Sequence, residues 1–163
     1  MDKLWAPWRL KYVTAIHKEQ KGCVFCRMLK EKRDKKNFIF IRRRHSFSVL
    51  NIYPYNNGHV LILPIRHVSD LSKLTKNERE GLFDILDETK ALLEKVLTPA
   101  GFNIGINLGT AAGAGFPGHV HIHLVPRWHG DVNFMPVTAQ TKVISQSLRA
   151  LYEKLTHAQQ TRH

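Results

Sequence analysis

The sequence Gly118-His119-Val120-His121-Ile122-His123-Leu124-Val125-Pro126-Arg127-Trp128 decides how the rest of the chain is interpreted. Its three histidines alternate with aliphatic residues, and a β-strand turns successive side chains to opposite faces. The alternation therefore predicts a strand with three imidazoles on one face and an apolar face toward the core. Imidazole binds metals and also handles phosphoryl groups near neutral pH, so both chemistries are open at this point.

One metal ion cannot take all three of these histidines. Same-face positions on a strand repeat at about 6.6 Å, which separates His119 from His123 by roughly 13 Å, whereas a zinc–nitrogen bond is about 2 Å long. Two of the three could share an ion, but a hydrolase with one zinc on all three is excluded. A nucleotide-binding module without turnover is a further alternative, and it would leave His121 dispensable.

Length and composition limit the class of protein. The 163 residues fit a single domain, 1–163. With 25 Lys and Arg against 13 Asp and Glu, the net charge of +12 favours anionic partners such as nucleotides. No stretch approaches the ~20 apolar residues of a membrane span, and charges interrupt the first residues, so we expect a cytoplasmic protein with no membrane partner. Cys23 and Cys26 favour metal or redox chemistry over a disulfide framework.

The remaining elements are predicted from periodicity and from turn residues. We expect residues 1–20 to form an aromatic N-terminal arm that lies on the domain or on a second subunit, and a mobile tail is the alternative. A capping box at Thr75 and Glu78 begins a helix that Pro99 ends, and a C-terminal helix is predicted over 138–157. Further strands are predicted at Phe38–Ile41, Phe47–Ile52, Val60–Leu63 and 102–107.

A basic run extends from Lys30 to Arg44 around the first of these strands. Its two aromatic residues, Phe38 and Phe40, belong to the predicted strand and are not interleaved with the cations for base stacking, and the run has no known nucleic-acid reader motif. We therefore interpret it as a solvated charged rim and expect no specific nucleic-acid partner.

The motif His119–Val125 resembles the His-φ-His-φ-His-φ-φ signature of the histidine triad (HIT) superfamily of nucleotide hydrolases and transferases. Asn51, the segment Gly58–Pro64 and His67 are similar to that family's upstream signature. The aromatic arm and the residues up to Phe134 look most like the branch of diadenosine tetraphosphate phosphorylases and fragile-histidine-triad hydrolases. The resemblance implies an α+β fold, a five-stranded antiparallel sheet with helices, and a homodimer with a continuous sheet.

The resemblance also implies a reaction: cleavage of dinucleoside polyphosphates such as diadenosine tetraphosphate at the α-phosphate, through a covalent nucleotidyl-histidine. His121 is then the nucleophile, and His119 and His123 share the charge that develops on the phosphoryl oxygens. Nucleoside phosphoramidase activity is the alternative within the family. The presence of His123 argues against a uridylyltransferase, because those relatives carry Gln there. Either water or phosphate could accept the nucleotide.

Substrate-binding residues are implied in the same way. His59 approaches from the neighbouring strand, Asn107 corresponds to an amide near the phosphates, and Asn51 corresponds to a residue near the ribose. Many members carry Gln or Ser/Thr just before the triad, where this chain has Ala114 and Gly115. Phosphate contacts at that place would have to come from backbone N–H groups in a glycine-rich loop.

The pair Cys23-x-x-Cys26 predicts a structural metal. Thiolates prefer tetrahedral zinc with two further nitrogen or sulfur ligands. The resemblance implies that those ligands are His67 and His119, and no organic cofactor is expected. Two reduced buried cysteines and a thioredoxin-like redox pair are the alternatives, and the redox pair lacks a strand-to-helix context.

Overall fold

The computed structural model describes residues 22–132 and 144–161. The predicted arm 1–20 and Phe134 lie outside the described residues. The helices are α1 (Val24–Glu31), α2 (Asp34–Asn37), α3 (Lys76–Leu97) and α4 (Leu148–Gln160), and the strands are β1 (Ile39–Arg42), β2 (Ser46–Leu50), β3 (Val60–Pro64), β4 (Gly101–Ile106) and β5 (Ile122–Arg127). In the part of the chain so described, no helix combines the length and the hydropathy needed to cross a bilayer.

The five strands form one antiparallel sheet in the order β1-β2-β3-β5-β4. Strand β5 lies between β3 and β4 although it follows both in sequence, because α3 first carries the chain across to the β4 edge. This arrangement confirms the predicted α+β fold with a five-stranded antiparallel sheet.

The two faces of the sheet bury different clusters. Helices α3 and α4 cover one face, where Val120, Ile122 and Leu124 join their apolar residues in the larger cluster. Helix α1 covers the other face, where Phe25 packs with Leu61 and other strand residues. Leu61 pairs with His123, so this second face is also the histidine face. The predicted alternation along 119–124 is confirmed.

Helix α3 begins with the predicted capping box. The Thr75 side chain accepts from the Glu78 N–H, and the Glu78 carboxylate accepts from the Thr75 N–H. Arg66 donates two hydrogen bonds of 2.7 Å to the same carboxylate, and these contacts lower the pKa of Glu78 to about 2. Phe83, which follows the buried Leu82, is 64% exposed, because one residue along an α-helix turns the side chain by 100°.

Four other elements differ from the sequence prediction. Helices α1 and α2 were not predicted, because each spans at most about two turns and such short helices depend on tertiary packing. Strand β5 begins only at Ile122, after His121. The C-terminal helix begins at Leu148, and the Ser147 hydroxyl caps it by accepting from the Ala150 N–H. Residues 144–147 of the expected helix 138–157 are therefore not helical, and residues 138–143 lie outside the described chain.

Candidate active site

His121 lies in a groove between α1, the end of β2 and the glycine-rich loop after β4. Its side chain is buried, and Nδ1 lies 2.8 Å from the backbone carbonyl oxygen of His119. Since a carbonyl oxygen can only accept, Nδ1 carries the proton and Nε2 keeps its lone pair. Burial lowers the pKa of His121, and the bond to the carbonyl opposes that shift. The imidazole is therefore neutral near pH 7, with Nε2 as a nucleophilic atom.

His123 is held in the opposite tautomer by a chain of contacts that begins at Tyr55. The Tyr55 backbone N–H donates to Nδ1 of His59 at 3.0 Å, and Nε2 of His59 lies 2.9 Å from Nδ1 of His123. A backbone N–H can only donate, so neutral His59 carries its proton on Nε2 and donates it to His123. Neutral His123 then carries its own proton on Nε2. The two neighbouring imidazoles thus offer different atoms: a lone pair on His121 and an N–H on His123.

Ring contacts hold this pair of histidines in place. The Tyr55 ring stacks on His123 at a centroid distance of 5.6 Å and an interplanar angle of 11°, and it lies 4.5 Å from the His59 ring. The His121 and His123 rings are 4.9 Å apart. Tyr55 was missed in the sequence, although an aromatic residue in a turn four positions before a signature histidine is a usable signal.

The structure places Asn51 behind the histidines. Its Oδ1 accepts from the Tyr53 N–H at 2.9 Å, and its Nδ2 lies 3.2 Å from Nδ1 of His59. Both ends of this amide therefore have partners in the protein, and the residue supports His59 at the edge of the groove. Asn51 also lines the groove, and its expected contact with the ribose stays a prediction.

Asn107 and Gly115 come from opposite ends of the glycine-rich loop. Asn107 Nδ2 donates to the Gly113 carbonyl oxygen at 3.5 Å, and it also lies 3.5 Å from Nε2 of His123. Because Nδ2 and Nε2 both carry protons in the tautomer assigned above, this second approach is a packing contact and not a hydrogen bond. Gly115 lines the groove together with His121 and His123. The loop thus brings both predicted residues to the reactive imidazoles.

His119 belongs to a different cluster from His121 and His123. Its Nδ1 lies 3.3 Å from Sγ of Cys23, and its Nε2 lies 2.9 Å from the Pro64 carbonyl oxygen. Both ring nitrogens therefore have partners away from the groove. The expectation that His119 shares the charge on the phosphoryl oxygens with His123 stays a prediction, and the backbone carbonyl of His119 orients His121.

The four predicted metal ligands come together. The ligand atoms of Cys23, Cys26, His67 and His119 all lie within 4.8 Å of one another. Sulfur-to-nitrogen distances of 3.3, 3.4 and 3.8 Å agree with the edge of a tetrahedron around zinc, which is about 3.5 Å for bonds of 2.3 and 2.0 Å. Burial and the adjacent Cys23 thiol raise the pKa of Cys26 to about 11. A metal binds the thiolate, so metal binding there would release protons.

Helix α1 connects this cluster to the groove. Cys23 and Cys26 lie at the start of this helix. Phe25, which lies between them in sequence, and Met28, which follows them, form the apolar wall of the groove. The Phe25 ring also contacts the rings of His119 and His121 at 5.6 and 5.8 Å. The sequence reasoning missed Phe25, and its position between the two cysteines was the available signal.

Comparison with known proteins identifies the class. Residues 32–130 match the family model described as the HIT domain, and the chain belongs to that family. It is 35% identical over 155 residues to a protein of Mycobacterium tuberculosis named AP-4-A phosphorylase, an alignment that covers 91% of this chain and 80% of the relative. Over 93 residues it is 39% identical to bis(5'-nucleosyl)-tetraphosphatase [asymmetrical] of Schizosaccharomyces pombe, covering 57% of this chain and 50% of the relative.

A solved structure supports the fold. The zinc-bound histidine triad family protein of Mycobacterium smegmatis superimposes with a TM-score of 0.67 at 24% identity, covering 84% of this chain and 92% of that chain. The similarity at this identity establishes the shared architecture of sheet and helices.

Proposed function

We propose that this protein is a dinucleoside polyphosphate hydrolase or phosphorylase that cleaves substrates such as diadenosine tetraphosphate at the α-phosphate. The named relatives act on substrates of this class. The single observation that carries the proposal is the pair of adjacent imidazoles, 4.9 Å apart, whose backbone contacts assign a lone pair to Nε2 of His121 and an N–H to Nε2 of His123. A displacement at phosphorus uses both: a nucleophile and a donor to the phosphoryl oxygens.

The reaction has two displacements. Nε2 of His121 attacks the α-phosphorus, the P–N bond forms, and the bond from phosphorus to the bridging oxygen breaks with its electron pair leaving on the nucleoside polyphosphate. Water or inorganic phosphate then attacks the same phosphorus and releases a proton to solvent, and the P–N bond breaks with its electron pair returning to Nε2, which restores neutral imidazole. His121 donates its Nδ1–H to the His119 carbonyl oxygen during both displacements. This hydrogen bond stabilises the positive charge of the intermediate imidazolium.

The surrounding residues position the substrate. His123 donates from Nε2 to the phosphoryl oxygens, and His59 holds that proton on the correct atom. Asn107 and the backbone N–H of Gly115 contact the phosphate chain at the open end of the groove. The apolar wall that Phe25 and Met28 build on α1 packs against the nucleoside. His119 and Asn51 are positioning residues in this scheme.

Zinc is the metal that the Cys23, Cys26, His67 and His119 cluster suits, because two sulfurs and two imidazole nitrogens at tetrahedral spacing are the usual donor set for a structural zinc. The ion would tie the start of α1 to the loop before β5. A site with four protein ligands is closed, so its chemistry is structural. Two thiol ligands are also consistent with a reducing compartment, which supports the expected cytoplasmic location.

A homodimer is proposed through the β4 edge. Strand β4 is the last strand on that side of the sheet, its sequence Gly101–Ile106 carries no charge, and Ile104 is 52% exposed. An uncharged, exposed edge strand is a template for pairing with another chain. Two copies related by a two-fold axis would join their sheets there.

Product analysis tests the proposed activity. Purified protein is incubated with diadenosine tetraphosphate, with and without inorganic phosphate, and the nucleotides are separated by anion-exchange chromatography. AMP and ATP are expected if water accepts the nucleotide, and ADP and ATP if phosphate does. Adenosine phosphoramidate is tested in parallel. Cleavage of that substrate alone would favour a phosphoramidase, and cleavage of neither would favour a binding module.

A further inference from the structure

The basic run of the sequence forms part of a second cleft, between the α1–α2 turn and α4. Lys32, Arg33, Lys35 and Lys36 line one side, Arg149 lines the other, and the rings of Phe38 and Tyr152 lie between them at a centroid distance of 6.0 Å. None of the residues that line this cleft also lines the catalytic groove. The cleft is therefore a separate surface that the proposed activity does not use.

The positive charge of this cleft is largely uncompensated. Its acidic lining residue, Asp34, is held by two hydrogen bonds of 2.7 and 2.5 Å from Arg42. Two of the five basic lining residues are paired, Lys36 with Glu31 and Arg149 with Glu153. In residues 22–132 and 144–161, the side chains of Lys32, Arg33 and Lys35 have no ion-pair partner. Lys30–Arg44 contains eight basic and two acidic residues, which makes it the source of half of the chain's net charge of +12.

The backbone of this turn is held in an unfavourable conformation. Lys32 and Phe38, the residues on either side of α2, have φ angles of 53° and 57°. Residues with a side chain rarely adopt this left-handed region, and a bulky residue there is unusual. Such backbone conformations persist where contacts with the surrounding structure hold them in place, often at functional surfaces. Lys32 ends α1 and Phe38 ends α2, so Lys32, Arg33 and Lys35 lie together around the turn between the two helices.

We propose that this cleft binds single-stranded nucleic acid through its phosphodiester backbone, without sequence preference. Cations spread along a groove attract the phosphates of a nucleic acid, and a single strand is flexible enough to follow them into a cleft, whereas a duplex is stiff. Tyr152 is only 8% exposed and packs with half-buried Phe38 in the core, so the two rings form the floor of the cleft and the phosphates carry the binding. A small anion would need convergent, buried donors, whereas Lys32, Arg33 and Lys35 are all exposed. A membrane surface is disfavoured because the large exposed apolar side chains of the described chain lie elsewhere, at residues such as Phe83 and Ile104.

Fluorescence anisotropy tests the proposal with a labelled oligouridylate of about 20 nucleotides, a length that exceeds one typical binding site. Affinity is measured between about 50 and 200 mM salt, with saturating AMP to occupy the catalytic groove. The test variant is Lys32→Gln/Arg33→Gln/Lys35→Gln. The matched control is Lys73→Gln/Lys76→Gln/Lys95→Gln, which removes the same charge from exposed positions outside the cleft.

The expected result is a loss of affinity of about tenfold or more in the cleft variant at low salt, with the log–log salt slope reduced by about 2, since each phosphate contact on a single strand contributes about 0.7. The control variant should keep most of the affinity and the slope, and both variants should keep wild-type thermal stability. Equal losses in both variants, or displacement of the strand by AMP, would overturn the proposal. Equally strong binding of tripolyphosphate or of anionic phosphatidylserine vesicles at the same phosphate concentration would also overturn it, in favour of those ligands.

Discussion

Replacing His59 tests the tautomer chain that connects Tyr55 to His123. His59 is 1% exposed, so His59→Phe keeps the site filled while it removes the acceptor on Nδ1 and the donor on Nε2. The Tyr55 N–H and the Asn51 amide then lose a buried acceptor, and an unsatisfied buried donor costs about 1–3 kcal/mol. We expect the free energy of unfolding to fall by about 2–5 kcal/mol.

The expected effect on the reaction follows from His123. Without the donor on His59, the His123 proton is free to move to Nδ1, and the N–H toward the phosphoryl oxygens is no longer fixed. Removing one donor to developing negative charge typically costs about 10²–10³ in kcat. Because His123 itself remains, we expect a smaller loss of about 10- to 100-fold in kcat, or about 1.4–2.7 kcal/mol, with little change in KM.

His59→Gln is the matched control. Its side-chain oxygen can accept from the Tyr55 N–H, and its amide nitrogen can donate to Nδ1 of His123, so both bonds of the histidine are preserved in kind. Steady-state kinetics with diadenosine tetraphosphate and thermal unfolding are measured for both variants. Recovery of most of the rate in His59→Gln supports the chain. Full activity in His59→Phe, or equal defects in the two variants at temperatures where both are folded, would refute it.

Three further predictions concern the metal, the long helix and the sheet edge. The wild type should hold about one zinc per chain, and a zinc-free wild type prepared without chelators would contradict this. The Cys26→Ser variant should lose the zinc and have a lower Tm. It should also weaken AMP binding in equilibrium dialysis by a larger factor than it lowers kcat, because α1 carries both the cysteines and the groove wall. Glu78 has a folded-state pKa lowered to about 2 by Arg66, so its stabilisation is present above its usual pKa of 4.5 and is lost as the pH falls from there toward 2. Denaturant titrations should therefore show that wild type is more stable than Glu78→Gln at pH 7 and that the difference shrinks over this acid range; a difference independent of pH would refute the assignment. Ile104→Lys should convert a dimer to a monomer in sedimentation experiments, since a charge on β4 opposes edge pairing, and an unchanged dimer would place the interface elsewhere.

Local patterns in the sequence predicted the histidine face and helix α3. Alternation with period two separates the imidazoles from Val120, Ile122 and Leu124 whatever the neighbouring strands are, because it follows from strand geometry alone. The capping box is equally local, since its two hydrogen bonds join residues three apart. Both predictions agree with the structure.

The division of labour among the histidines could not be predicted in this way. The partners of His119, Pro64 and Cys23, are 55 and 96 positions away in the sequence. The tautomer of His123 depends on His59, which is 64 positions away, and on a backbone N–H that every residue but proline carries. Equal spacing along a strand makes three histidines look equivalent, and only tertiary packing shows which of them face the groove. Helix α1 was missed for a related reason, because its two turns are stabilised by contacts with the sheet.

The most direct test of the account is the covalent intermediate on His121. Wild-type protein is quenched with alkali during turnover of diadenosine tetraphosphate, digested, and analysed by mass spectrometry, with His121→Asn as the control. We predict an adenylyl group on His121 that is stable in alkali and labile in acid, as a phosphoramidate bond should be, and a His121→Asn protein that binds nucleotide but turns over several orders of magnitude more slowly. An adduct on another residue, or a His121→Asn protein with substantial turnover, would contradict the mechanism.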